Sequence, residues 1–238
     1  MNTEFRDKHP DFAPPPLWWM HDMYRHTSFE LYWQTGISTA RVIEEKINGN
    51  IETKTPIVAD WGCGLGRIIR HLPSRYSRYG FDYNGHAIKW NRNNLADIIF
   101  KENDLLPPLP VGANAFDAIY ALSVFTHLSE QAHELWIDEI FRCLKPGGIF
   151  LGAFHMRPAS EQLLPLEREK FDAGKLVIRG GVKEGSRTFT AHHPEDYLRK
   201  RLFAKFEILE GPIDLFGQEL FIVRKPTVGA KPERIKTC

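Results

Sequence analysis

Short apolar runs and amphipathic stretches alternate along this chain, and the alternation predicts its elements. Apolar runs at 57–60, 79–82, 98–102, 116–122 and 148–154 read as strands bounded by turn residues. Helical patterns lie between them, from Arg67 onward, near 86–95 and at 130–144. In the last of these, Trp136, Ile137, Ile140, Phe141 and Leu144 form one stripe; Ser129 is its expected N-cap and Pro146-Gly147 its stop. Strands alternating with helices predict an α/β fold, a mostly parallel sheet with helices on both faces. Upstream, Ala40, Ile43 and Ile47 recur at helical spacing from Ser38 and stop at Asn48-Gly49-Asn50.

The two ends depart from this rhythm. Residues 1–27 mix prolines with Phe12, Trp18, Trp19 and Tyr24, too aromatic for a solvated arm, so they are expected to pack on the domain or stack on a ligand. Residues 157–188 carry a charged helical piece around Ser160–Phe171 and the glycines Gly180, Gly181 and Gly185. An insertion there sits above the C-terminal edge of the sheet, which predicts a lid or substrate-selecting element. A helix near Pro194–Leu202 and strands at Lys205–Leu209 and Glu219–Arg224 close the pattern. The expected organisation is an arm and helix over 1–55, a catalytic domain over 56–226 and a flexible basic tail over 227–238.

Composition restricts partners more than it identifies them. The 238 residues are 42% hydrophobic with a formal net charge of +1, enough for one well-filled domain and without the basic footprint of a nucleic-acid binder. Cys63, Cys143 and Cys238 lack metal-ligand spacing and read as reduced thiols. The charged, proline-bearing N-terminus does not read as a signal peptide, and no apolar stretch reaches membrane-span length. A soluble cytoplasmic protein acting on a small molecule or glycan, with no nucleic-acid or membrane partner, is therefore expected; its oligomeric state is not legible.

Candidate chemistry concentrates at Pro56-Ile-Val-Ala-Asp60-Trp-Gly62-Cys-Gly64-Leu-Gly66-Arg67, a strand running into an acid and a G-x-G-x-G turn. Sixteen residues past Gly66, Asp82 ends the second strand, where a carboxylate can take two ribose hydroxyls. The dinucleotide pattern G-x-G-x-x-G would want a glycine where Arg67 stands. A nicotinamide cofactor therefore fits poorly.

With Asn114–Tyr120 as a fourth strand and Leu144-Lys-Pro-Gly-Gly148 as the turn before a fifth, the sequence resembles the class I S-adenosylmethionine-dependent methyltransferases over residues 56–155. Gly62-Cys63-Gly64 with Arg67, Pro107-Pro-Leu-Pro110 and Ser123-Val-Phe-Thr-His-Leu128 resemble a bacterial branch associated with surface-polysaccharide biosynthesis, sometimes fused to glycosyltransferases. The resemblance implies a Rossmann-like three-layer sandwich, with a seven-stranded sheet ending in an antiparallel strand pair. It implies S-adenosyl-L-methionine as cofactor, with Asp60, Gly62, Gly64 and Gly66 at its methionine end and Asp82 at its ribose. Asn103 or Asp104 would meet its adenine, Ser123 would face its sulfur and methyl, and Arg67 is a candidate partner for its carboxylate.

Methyl transfer needs alignment of the acceptor and a base for its proton. His127, just past the fourth strand, is the expected base, with His155, His193 and Glu130 behind it. No Asn/Asp-Pro-Pro-Tyr/Phe motif follows the fourth strand, which disfavours exocyclic-amine chemistry on nucleic acid, and no ligand cluster suggests a metal. The expected activity is metal-independent O-methylation of a sugar, glycan or other small hydroxylated acceptor. N-methylation, protein methylation and a catalytically silent cofactor-binding scaffold are the alternatives.

Overall fold

The computed structural model describes residues 2–156 and 163–227. Three helices come first: α1 (Asn2–Lys8), α2 (Leu17–Tyr24) and α3 (Phe29–Asn50). The central sheet follows as β1 (Ile57–Trp61), β2 (Ser77–Asp82), β3 (Ile99–Glu102), β4 (Phe116–Leu122) and β5 (Leu144–Phe154). Helix α4 (Gly85–Asn94) joins β2 to β3, and α5 (Glu130–Cys143) joins β4 to β5. The insertion holds α6 (Pro165–Asp172) and an antiparallel pair, β6 (Val177–Arg179) with β7 (Thr190–His192). A short helical stretch, Glu195–Tyr197 continued by one wide turn at Leu198–Leu202, leads to β8 (Glu207–Leu215) and β9 (Gln218–Arg224).

The seven strands lie in the order β3-β2-β1-β4-β5-β9-β8, the first five parallel and β9 antiparallel to both β5 and β8. This is the seven-stranded, Rossmann-like sheet with an antiparallel C-terminal pair expected above. Both faces are buried. Along β4, Phe116, Ile119 and Ala121 join the layer built on Trp136 and Phe150, whereas Ala118 and Tyr120 join the layer built on Ile43, Ile69 and Ile149. Chain order reverses at β1, with β2 on one side and β4 on the other, and a crevice opens at the C-terminal ends of these strands.

Local chemistry explains several boundaries. Asn84 Oδ1 caps α4 by accepting from His86 N and Ala87 N at 3.1 and 3.3 Å, and Ser129 Oγ caps α5 by accepting from Ala132 N at 3.3 Å. Helix α3 starts at Phe29 instead of Ser38, because Ser28 caps it and the buried Phe29, Tyr32 and Gly36 carry the apolar face a further two turns upstream. The helix expected from Arg67 is a single turn, Ile69–His71. Six residues separate Gly66 from Pro73, and Leu72 takes the extended conformation (ψ 149°) that a following proline demands. Leu144 belongs to β5, so α5 ends before Pro146-Gly147.

The arm over residues 2–24 packs on the domain through a third apolar cluster. Phe5, Phe12 and Met20 meet Phe29, Tyr32, Leu65 and Ala87. Two tyrosines fasten it to the glycine turn: Tyr32 O–H donates to Leu65 O at 2.8 Å, and Tyr24 Oη accepts from Leu65 N at 3.3 Å. Burial pushes the Tyr32 phenol up to about 12 and raises that of Tyr24 as well, so both stay neutral, one donating to the turn and the other accepting from it. Positions 160–162 of the expected helical piece, most of the tail and Cys238 lie outside the described residues. Among the described residues no helix is long and apolar enough to cross a membrane.

Candidate functional site

The chain leaves β1 at Trp61 and turns through Gly62 and Gly64, both at positive φ (82° and 51°). A Cβ on Gly62 would sit 2.3 Å from Val124 Cγ2, and one on Gly64 would lie 3.1 Å from Tyr24 Oη. Neither backbone angle nor space admits a side chain. The turn is held from below, where Gly62 N and Cys63 N donate to Phe81 O at 2.8 and 3.0 Å. Asn91 Nδ2 donates to Gly64 O at 2.7 Å.

Asp82 closes the far side of the turn. Its Oδ2 accepts from Gly64 N and its Oδ1 from Asn84 N, each at 2.8 Å. Each oxygen keeps a second lone pair for a ligand. Burial raises its pKa, and the two backbone bonds oppose the rise. Asp60, at the end of β1, is 4% exposed and accepts from Tyr120 O–H at 2.9 Å. Burial pushes its carboxyl up to about 7, the Tyr120 bond and the Arg67 charge working against burial and the Asp82 charge with it.

These residues line a cleft of about 710 Å³ above the crevice, together with Asn103, Asp104, Ser123 and His127. Gly66 does not reach it; a Cβ there would meet Leu95 Cδ1 at 2.7 Å. That glycine serves the packing of α4. Of the two adjacent polar residues, Asp104 is exposed to the cleft, whereas Asn103 is buried and donates back to the Asp104 carbonyl at 2.7 Å. Arg67 stacks over the Tyr24 ring with 5.2 Å to the centroid, and its Nε is buried without a hydrogen-bond partner.

Ser123 holds the left-handed conformation at φ 60°, which non-glycine residues seldom occupy and which gathers at functional sites. Its Oγ accepts from Gln218 Nε2 at 2.7 Å, and that nitrogen is also 3.2 Å from His155 Nε2. His127 Nδ1 lies 2.8 Å from Phe189 O, a contact that needs the proton on Nδ1 and leaves Nε2 with its lone pair. Burial lowers the pKa of His127, the Phe189 bond opposing.

The other candidate bases are placed differently. His155, beyond Ser123, is pushed down to about 4 by burial and then by the neighbouring His192 and His127. His193 is fully buried, its Nε2 2.8 Å from His133 Nε2, and burial holds it well below the usual histidine range. Glu130 pairs with Arg201 at 2.6 Å and is not among the cleft residues. Among the described residues no three His, Cys, Asp or Glu side chains come together as metal ligands would.

Two segments distant in sequence roof the cleft: Asp22–Arg25 of the arm and Lys183–Thr188 of the insertion. They meet where Arg187 Nη1 donates to Asp22 O at 2.6 Å. Tyr83 O–H donates to Gly185 O at 2.9 Å, and Gly185 N to His127 O at 2.9 Å, tying the insertion to the ends of β2 and β4. Sequence reasoning did not single out Arg25, Tyr83, Arg187 or Gln218 as site residues. No local motif marks them.

Residues 58–148 match the family model described as a methyltransferase domain. The match runs from Val58 in β1 through β4 to Gly148 in the first half of β5, with the glycine turn, Asp82 and His127 inside it. Over that span the chain matches a methyltransferase domain, and its fold is that of solved S-adenosylmethionine-dependent methyltransferases. Solved structures with the same fold include a SAM-dependent methyltransferase of Methanosarcina mazei, at 22% identity and TM-score 0.57, covering 76% of this chain and 97% of that one. The glycopeptide N-methyltransferase MtfA, crystallised with S-adenosyl-L-homocysteine, matches at 16% identity and TM-score 0.58 over 79% and 88% of the two chains. DesVI of Streptomyces venezuelae matches at 15% identity and TM-score 0.59 over 84% and 97%.

MtfA has also been crystallised with S-adenosyl-L-methionine, and the cleft here fits such a group. Gly62 and Gly64 form a cradle that a side chain would fill, and Asp82 keeps lone pairs where a diol would lie. The unpartnered Arg67 Nε stands beside the turn.

Proposed function

We propose that the enzyme methylates a hydroxyl of a small acceptor, a sugar or glycan by preference, with His127 as general base. The observation that carries this reading is the His127 contact with Phe189 O at 2.8 Å, which fixes the tautomer that leaves Nε2 free to take a proton. A carbonyl orients the imidazole much as a carboxylate does in other acid-base pairs, without adding a charge. The lowered pKa keeps the ring neutral at physiological pH.

In this reading Gly62, Gly64 and Asp60 hold the methionine end of the cofactor and Arg67 its carboxylate. Asp82 takes the ribose hydroxyls, and Asp104 is better placed than Asn103 for the adenine amino group. When bound, the cofactor supplies a methyl group already activated on a sulfonium. The chain aligns the acceptor oxygen beyond Ser123, and His127 Nε2 receives its proton as the new carbon-oxygen bond forms. Ser123 serves alignment, its hydroxyl held by Gln218. The insertion is a lid in this account, closing the cleft against the arm through the Arg187 contact. A cytoplasmic enzyme of surface-polysaccharide assembly, as the sequence resemblance suggested, suits these features.

The test is an acceptor screen with radiolabelled methyl donor, run separately on carbohydrate, amine, protein and small-molecule fractions. Label appearing only on amines or proteins would replace O-methylation with the alternatives. Tight cofactor binding without label in any fraction would favour a silent scaffold.

A further inference from the structure

The roof of the cleft carries charge that the reading above does not use. Arg25 ends α2 in the left-handed conformation at φ 61°, which turns the chain back over the cleft, and its side chain has no ion-pair partner among the described residues. Arg187 reaches the same roof from the insertion, where its hydrogen-bond partner is the neutral carbonyl of Asp22 at 2.6 Å. Lys183 lines the cleft from the same loop. The acids that face this group are the exposed carboxylate of Asp22 and, across the cleft, Asp60, Asp82 and Asp104. Glu184 is turned away, accepting from Ser129 N at 2.5 Å. Three cations thus share the roof with one carboxylate and face three more across the cleft.

Like charges from two separate segments repel unless something between them is negative. The proximity shows in the Arg187 guanidinium, whose pKa is lowered by burial and by the Arg25 charge while Asp22 opposes the change. The cofactor's own carboxylate does not require this group. In the reading above it belongs to Arg67 on the floor, beside the glycine turn.

We infer that Arg25, Lys183 and Arg187 form an anion site in the roof of the cleft, and that the methyl acceptor carries a phosphate or diphosphate group bound there. This rests on the methyltransferase reading of the same cleft, whose cofactor occupies the floor. A phosphate fits better than a carboxylate because the cleft lining offers two guanidinium forks and an ammonium from two separate segments, a donor set that suits a tetrahedral group with several oxygens. A planar carboxylate is satisfied by one fork. Holding the anion would also draw arm and insertion together, so that acceptor binding completes the roof.

The experiment is calorimetry at fixed ionic strength, with inorganic pyrophosphate titrated into protein saturated with S-adenosyl-L-homocysteine. Wild type should bind pyrophosphate, and Arg25→Gln and Arg187→Gln should each weaken it by about tenfold or more, since charge-assisted bonds are worth at least that. Affinity for S-adenosyl-L-homocysteine should stay within about twofold in both variants. Arg187→Lys, which keeps the charge but not the fork, should fall between. Absence of pyrophosphate binding to wild type, or equal binding by both Gln variants, overturns the inference. So does a tenfold loss of S-adenosyl-L-homocysteine affinity in either variant, which would assign the arginines to the cofactor. Failure of wild type to bind S-adenosyl-L-homocysteine would instead overturn the cofactor reading, and pyrophosphate titrated into unloaded protein would still decide the anion site.

Discussion

Asp82→Ala separates the turn-building bonds that Asp82 makes from the ribose binding proposed for the same carboxylate. In the free protein Asp82 accepts from Gly64 N and Asn84 N, both at 2.8 Å, at a site 9% exposed. Removing it leaves two backbone donors without partners, and each costs about 1 to 3 kcal/mol unless water enters. Against that, deleting a buried carboxylate removes a desolvation penalty, which its raised pKa reveals. The net loss of stability should therefore lie near the low end, about 1 to 3 kcal/mol. Affinity for S-adenosyl-L-homocysteine should fall further than the ribose bonds alone require. Those bonds account for roughly ten- to hundredfold, and loosening of the Gly64 turn adds to it. Asp82→Asn is the informative partner: its oxygen can accept one backbone N–H, but its amide then faces the other N–H donor. It should bind no better than tenfold above the alanine variant. Calorimetry with S-adenosyl-L-homocysteine and thermal unfolding of the free proteins measure the two effects separately. An Asp82→Ala protein that unfolds earlier yet keeps its affinity would show that the carboxylate only builds the turn, and the ribose assignment would fail.

Asp60 predicts a pH dependence. Its pKa is raised to about 7 in the folded protein against about 3.9 unfolded, so the stability it contributes is full below pH 4 and is lost as pH rises through 7. Asp60→Asn, which can still accept from Tyr120, should be more stable than wild type at pH 8 by up to about 4 kcal/mol and equal to it near pH 4, read by thermal unfolding without cofactor; a pH-independent difference would refute it. Ser123→Gly relieves the strain at φ 60° and should exceed Ser123→Ala in stability by about 1 kcal/mol, although both lose the Gln218 bond; denaturant midpoints decide, and equality would mean the backbone is not strained there. With an acceptor in hand, His127→Ala should lower turnover by about a hundredfold while cofactor affinity holds. Wild-type turnover should rise with pH through a value below about 6.5, because burial lowers the pKa, and the variant should lack that limb; near-normal turnover would send the search to His155.

The strands, their order of appearance and the acidic ends of β1 and β2 were legible because each rests on local facts. Apolar runs of strand length, glycines where φ is positive and a carboxylate at a strand end are all properties of adjacent residues. The same locality explains the failures. The turn after Gly66 looked helical by composition, and the distance to Pro73 decided otherwise; α3 hid two of its turns because Gly36 does not look apolar, yet it is buried against Arg67 and His71. Asn103 and Asp104 could not be separated by sequence, since which one faces a cleft depends on how β3 leaves the sheet. Ten histidines were equivalent as letters. Packing set them apart, by giving His127 a carbonyl partner at the cleft, burying His193 against His133 and leaving His155 behind Gln218. The sequence by itself determined the parallel strands and the glycine turn with its two acids, because a turn of this kind is a local backbone requirement. Only the tertiary structure decided what roofs the cleft, because Asp22 and Arg187 meet across most of the chain's length and no local pattern encodes a contact of that range.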